Sequence, residues 1–267
     1  MRFDVICSIY IGTTASELNQ MLLSLVNQSY KSFGLIIVID GPIRNEIPQI
    51  LAEYQSKLNV HLIERTENRG LAYSLNEAIN FSEADYIFRI DTDDRCLPNR
   101  LEMQIKHLQV NKDVTLLGAA CIIQGDGDEY TVQYPLTTSD IRRTVSYRNP
   151  FCHSSIVVRR QTVVNAGGYP QAYPEDYLLW IRLICQGEKC ANLPNALVVM
   201  KQGSSFHRRR GLLFLRGEIK AYFLLYQLNE ISFQKLCVLS FGRALLRIMP
   251  TPVKKLVYKL RKRGPNE

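Results

Sequence analysis

The run Arg89-Ile90-Asp91-Thr92-Asp93-Asp94 sets three carboxylates within four residues, just past a short apolar segment. Left unscreened they repel one another, so a cation or strong hydrogen-bond donors must neutralise them. Oxygen ligands without His or Cys suit a hard divalent ion, Mg²⁺ or Mn²⁺, and a site with few protein ligands leaves positions for phosphate oxygens. An Asp-rich turn that caps a helix starting near Pro98 would use the same residues. A second acidic pair, Glu175-Asp176, opens a helical pattern whose apolar face includes Leu179, Ile181 and Leu183. It serves either as decoration of a helix start or as a general base, since a hydroxyl is a poor nucleophile until a nearby carboxylate takes its proton. A third group, Phe206-His207-Arg208-Arg209-Arg210-Gly211, offers cations to a departing diphosphate. A solvated basic run or a membrane contact would look the same.

These residues need a scaffold. Apolar, β-branched runs at 5–10, 35–39, 60–63 and 86–90 read as buried strands. Between them, 16–27 carries Leu18, Met21, Leu22 and Leu25 on one helical face, and 71–81 carries Leu71, Leu75, Ala78 and Ile79. A third helix, 100–110, carries Leu101, Ile105 and Leu108. Strands alternating with helices imply an α/β fold, a mainly parallel sheet flanked by helices, and ligands at the carboxyl ends of its strands. Those ends are polar: Tyr10-Ile11-Gly12-Thr13-Thr14, Asp40-Gly41-Pro42 and the Asp91 cluster. A nucleotide lying across them would meet Asp40 at its base and the helix start at Asn68-Arg69-Gly70 near its phosphates. After about residue 120 the rhythm loosens, with a strand expected at 154–158, a helix at 176–185, and helices from 212 to 262 broken by Pro250 and Pro252.

In order and spacing, Ile39-Asp40-Gly41-Pro42, Asn68-Arg69-Gly70-Leu71, Asp91-Thr92-Asp93-Asp94, Leu97-Pro98-Asn99-Arg100-Leu101, Asn149-Pro150-Phe151-Cys152-His153, Gly167-Gly168-Tyr169, Glu175 to Trp180 and Arg208-Arg209-Arg210-Gly211 form a set. With it the chain resembles a family-two glycosyltransferase of the Rossmann-like GT-A fold, of the bacterial amylovoran and O-antigen surface-polysaccharide type, over residues 3–210. The resemblance implies a UDP-sugar donor and Mn²⁺ or Mg²⁺ as cofactor. Tyr10 and Asp40 would hold the uracil, Asp91 the ribose or metal, and Asp93 the metal, with Asn68, Arg69, Arg209 and Arg210 also on the donor. Asp176, beside Glu175, would be the base of a single in-line displacement that inverts the anomeric centre, and His153 would lie on the acceptor side. The Gln-x-x-Arg-Trp motif of processive synthases is missing, which favours transfer of one hexose per event, with UDP-Gal or UDP-Glc as the donor. The acceptor implied is a polyprenyl-diphosphate-linked saccharide. Arg89 is expected in a structural ion pair with the acidic cluster, and Trp180 in the core.

The net charge of +8 is uneven: residues 201–267 hold 15 Lys and Arg against three Glu, so the preceding residues are net −4. Apolar residues interleaved with cations over 236–263 describe an amphipathic helix for an anionic membrane surface, or a helix packed on the body. We therefore expect a catalytic domain over 1–211 and a helical, basic, membrane-associating region over 212–267. No stretch reads as an export signal or a membrane span. Seven scattered cysteines without a Cys-x-x-Cys pair argue against a disulfide framework or zinc site. The expected place is the cytoplasm, peripheral on the inner face of the bacterial inner membrane. A sugar nucleotidyltransferase would need a basic, Gly-rich phosphate loop after the first strand, and Ile11-Gly12-Thr13-Thr14 has no Lys or Arg. A basic nucleic-acid-binding protein has no use for two acidic clusters, so nucleic acid is not an expected partner.

Overall fold

The computed structural model describes residues 1–125, 129–201 and 212–248. Its N-terminal half alternates as the periodicity demands: β1 (Phe3–Ile9), α1 (Ala15–Val26), β2 (Gly34–Ile39), α2 (Ile47–Gln55), β3 (Asn59–Glu64), α3 (Leu71–Phe81) and β4 (Tyr86–Arg89). β1 pairs in parallel with β2 and β4, and β2 with β3. Val5, Cys7 and Ile9 of β1 and Leu35, Ile37 and Ile39 of β2 share one core with Leu18, Met21, Leu22 and Leu25 of α1. Ile6, Ile36 and Val38, which alternate with them and so face the other way, are just as buried, and α3 packs on β1 and β2. Helices on both faces explain why these strands are apolar throughout rather than alternating.

α1 starts where the sequence can satisfy its free amides. Thr14 accepts from the amide of Glu17 at 3.3 Å, and Glu17 accepts from the amide of Thr14 at 3.3 Å. α3 starts at Gly70, whose φ of +90° favours glycine.

Beyond β4 the chain adds β5 (Arg95–Cys96), α4 (Arg100–Val110), β6 (Val114–Gln124), β7 (Glu129–Val132), α5 (Thr138–Val145), a 3-10 turn at His153–Ser155, β8 (Val157–Arg159), α6 (Arg160–Asn165), α7 (Glu175–Cys185) and β9 (Lys189–Lys201). The sheet order is β3-β2-β1-β4-β8-β6-β9-β5, with β7 on β6. β8 is antiparallel to β4 and to β6, β5 to β9, and β7 to β6, so the second half makes the sheet mixed. The strand expected over 154–158 begins only at Val157. Ser154 and Ser155 instead turn, and the Ser155 hydroxyl accepts from the amide of Ala119 at 3.0 Å. All seven cysteines are free thiols, five of them buried.

The chain separates into two compact units, Met1–Gly203 and Ser204–Glu267. In the second, α8 (Leu212–Gln227) and α9 (Phe233–Ile248) pack on each other, and Arg243 reaches Tyr222 at 2.8 Å and Glu218 at 3.3 Å. The break between them centres on Asn229 at φ +60°, while Pro250 and Pro252 lie outside the described residues. Among the described residues no helix is long and apolar enough to cross a membrane.

Candidate active site

The carboxyl ends of β1 and β2 lie side by side because Ile9 registers with Ile39, and the amide of Asp40 continues the ladder to the carbonyl of Ile9 at 2.8 Å. Tyr10 is therefore a neighbour of Asp40 and is 45% exposed. Asp40 itself is buried. Its carboxylate accepts from Arg65 at 2.5 Å and from the amides of Arg69 and Gly70 at 2.7 and 2.9 Å. The side-chain amide of Asn68 donates to the Asp40 carbonyl at 3.1 Å, and Arg69 stacks on Tyr73 at 3.5 Å. Gly41, at φ +81°, permits this closeness, since a Cβ there would stand 2.6 Å from the amide of Asn68. Arg65 also bonds Glu77 at 2.8 Å and Ser74 at 2.6 Å. One buried carboxylate thus ties the end of β2 to the start of α3.

The end of β4 holds the three aspartates. One carboxylate oxygen from each of Asp91, Asp93 and Asp94 falls within 4.8 Å of the others. Arg89, 2% exposed, forms an ion pair with Asp91 and donates to the Ser154 hydroxyl at 2.9 Å. That hydroxyl also bonds Asp94 and lies 3.1 Å from Asp91. Asp94 accepts further from the amide of Lys201 at 3.3 Å and is almost fully buried. Arg89 and Ser154 do not neutralise three charges. Burial, then Asp91 and Asp93, push the Asp94 carboxyl well above the usual range, and packed surroundings followed by Asp91 raise Asp93. A divalent cation on oxygens would relieve this repulsion, and Asp93, the most exposed of the three, together with half-buried Asp91, has oxygens to offer it. The donor set fits a hard ion.

Glu175 and Asp176 form the first turn of α7, and both are half-buried. Burial raises both carboxyls, and Asp176 raises Glu175 further. Asn149 donates to Asp176 at 2.6 Å. His153 meets the hydroxyl of Tyr169 at 3.1 Å, and both rings pack edge-on against Trp180, on the same helix α7 and fully buried as expected. Burial, then Arg89, keep the His153 imidazole well below its ordinary pKa, hence neutral at pH 7.

The two acidic groups share one field. Arg89 lowers the Asp176 and Glu175 carboxyls while Asp91 raises both. His153 is in the same neighbourhood, for Arg89 acts on it too. Tyr10, Asp40, Asn68 and Arg69 gather at the ends of β1 and β2, along the same edge of the sheet. Arg209 and Arg210 lie outside the described residues. Sequence reasoning gave no role to Arg65, Ser154 or Asn149. Arg65 and Ser154 have no local signal, since each acts on a residue more than 20 positions away, whereas Asn149-Pro150 is a turn dipeptide that was open to suspicion.

The sequence profile of glycosyl transferase family 2 matches residues 4–168. The chain is 32% identical over 265 residues to the amylovoran biosynthesis glycosyltransferase AmsE of Erwinia amylovora, covering 98% of this chain and 100% of that one. It is 28% identical over 262 residues to the UDP-Gal:alpha-D-GlcNAc-diphosphoundecaprenol beta-1,3-galactosyltransferase of Escherichia coli, covering 97% and 95%. Among solved structures, S. aureus TarS 1-349 in complex with UDP-GlcNAc superposes with a TM-score of 0.67 at 17% identity, over 84% of this chain and 66% of that one. The mannosyltransferase PcManGT of Pyrobaculum calidifontis, in complex with GDP-Man and Mn²⁺, gives 0.65 at 15% identity, over 100% and 81%. These two likenesses show the fold, which is GT-A.

Proposed function

The chain belongs to glycosyl transferase family 2, and from that premise we propose that it is an inverting, metal-dependent hexosyltransferase using a UDP-sugar. The observation that carries the reading is the pair of acidic groups, 91–94 and 175–176, distant in sequence but within the field of one buried arginine. Tyr10 offers its exposed ring to the uracil, and Asp40, held in place by Arg65 and two amides, presents its carboxylate to the same base. Asn68 and Arg69 present the start of α3 to the donor, and from the sequence alone Arg209 and Arg210, outside the described residues, are assigned as cations for the diphosphate. Asp93 and Asp91 would hold Mn²⁺ or Mg²⁺, which supplies counter-charge to the leaving diphosphate. Asp176, raised by burial, takes the proton of the acceptor hydroxyl as its oxygen bonds to the anomeric carbon. The bond from that carbon to the diphosphate breaks and UDP leaves, with inversion. Neutral His153 lies on the acceptor side.

The proposed transfer moves one hexose from UDP-Gal or UDP-Glc to a polyprenyl-diphosphate-linked saccharide in the synthesis of O-antigen, capsule or exopolysaccharide; the name of the Escherichia coli relative supports UDP-Gal and the lipid carrier, and the amylovoran and O-antigen names support the surface-polysaccharide setting. The region 212–267 then brings the enzyme to the cytoplasmic face of the inner membrane. α9 exposes Phe233, Val238, Phe241 and Leu245, and residues 201–267 are net +12. A donor screen that scores the released nucleoside diphosphate, UDP or GDP, run with and without a lipid-linked acceptor, tests the substrate class. Acceptor-dependent UDP release with UDP-Gal or UDP-Glc is expected. Release from a GDP-sugar alone would overturn the donor reading.

A further inference from the structure

Asp176 is held by a side chain that none of the proposed catalytic roles includes. Asn149 sits in the segment between α5 and the 3-10 turn at His153–Ser155, and its two ends are both engaged. Its carbonyl Oδ1 accepts from the amide of Phe151 at 3.1 Å, which fixes the orientation of the side chain, and its Nδ2 donates to Asp176 Oδ2 at 2.6 Å. Two further contacts keep this segment against α7. The Tyr177 hydroxyl donates to the carbonyl of Val145 at 2.5 Å. The Phe151 ring packs edge-on against Trp180, four residues after Asp176, with centroids 5.9 Å apart. The segment 145–151 therefore grips the first turn of α7 at the next residue, Tyr177, and one turn further on, at Trp180. A general base needs one oxygen aimed at the acceptor hydroxyl, and an error of about 1 Å in such aim can cost on the order of 10²-fold in rate.

We infer that Asn149 is the positioning residue of the base: by occupying Oδ2 it leaves Oδ1 of Asp176 to take the acceptor proton and sets the direction in which it points. This rests on Asp176 being the base. The amide of Tyr177 and the Asn149 Nδ2–H both stabilise the ionised carboxylate and so oppose the upward pull of burial. Among the other charged or titratable groups, Arg89 and Asp91 at the end of β4 act on Asp176, and Asp176 in turn raises Glu175 on the same helix and Tyr169 in the 167–169 turn. Arg89 also favours the ionised form, while Asp91 opposes it.

The test is the pH dependence of kcat for wild type, Asn149→Ala and Asn149→Asp, with Asn149→Ala repeated in an Asp176→Asn background. Asn149→Ala should lower kcat about 10- to 100-fold, leave the KM for the UDP-sugar within about twofold, and move the acid limb to higher pH. The sign follows because the base works ionised, and losing a donor to the ionised form raises its pKa. Asn149→Asp should move that limb further, since two adjacent carboxylates share a proton. In the Asp176→Asn background, Asn149→Ala should have no further effect on kcat. An unmoved acid limb in Asn149→Ala, with thermal stability and kcat falling together, would make Asn149 a structural turn residue and end the proposal. A small effect of Asp176→Asn alone would instead remove the premise that Asp176 is the base.

Discussion

The aspartates at the end of β4 and the acidic pair at the start of α7 are the same chemical group in two different settings. The first are three in number, with an arginine and a serine among them, and they still carry more charge than their partners cancel. The second meets a neutral amide, with Arg89 only at a distance; burial is the largest influence on titration in both settings, but the first adds two neighbouring carboxylates to it. Crowded carboxylates lower their energy most by taking a cation. A partly desolvated single carboxylate lowers its energy by taking a proton. Two acidic motifs that look alike in sequence are thus fitted to different jobs by what surrounds them.

The largest effect should come from the first setting. Asp93→Ala is expected to abolish transfer without unfolding the protein, because Asp93 is exposed. EDTA should silence the wild type and Mn²⁺ restore it, and full activity in EDTA would erase the contrast. Asp176→Asn keeps the shape but cannot accept a proton, so kcat should fall roughly 10²- to 10⁴-fold. In the wild type kcat should rise with pH through an Asp176 pKa that burial places above the ordinary carboxylate value. A subtler probe is Ser154→Ala, which removes the hydroxyl shared by Arg89, Asp91 and Asp94. Mn²⁺ affinity read by paramagnetic resonance should weaken about 10- to 100-fold, the usual effect of losing a partner behind a metal ligand. Smallest for the chemistry is truncation before Pro250, which leaves both acidic groups intact. Activity on a short soluble acceptor should persist, while binding to anionic vesicles should fall by about 1 kcal/mol for each cation lost near the surface, less in salt. Equal vesicle binding by the truncated and full chains would confine the tail to packing.

The contrast was only half legible in the sequence. The parallel strands β1 to β4 and the helices α1, α3 and α4 follow from local periodicity, because each buries its own repeating face. The second half hides its logic in long-range pairing. β9 runs beside β6 in parallel with shifts of register, so no short window of either strand announces the partner. Ser154 and Ser155 sit in a run that reads as strand, yet their hydroxyls have partners on β6 and at the end of β4, and meeting those bends the backbone into a turn. Tertiary demand overrode local preference there. The acidic clusters themselves were conspicuous. What tells them apart was legible only in Arg89, expected to pair with the cluster and found on Asp91, since Ser154 and Asn149 act across the fold.

The division of labour is tested most directly by a calorimetric titration of UDP, in the presence of Mn²⁺, into Asp176→Asn. If Asp176 moves only the proton while Asp91 and Asp93 hold the cation and the diphosphate, this variant binds UDP as tightly as the wild type. It does so although it transfers sugar roughly 10²- to 10⁴-fold more slowly. A large loss of UDP affinity in Asp176→Asn would put that carboxylate in the donor site and contradict the account.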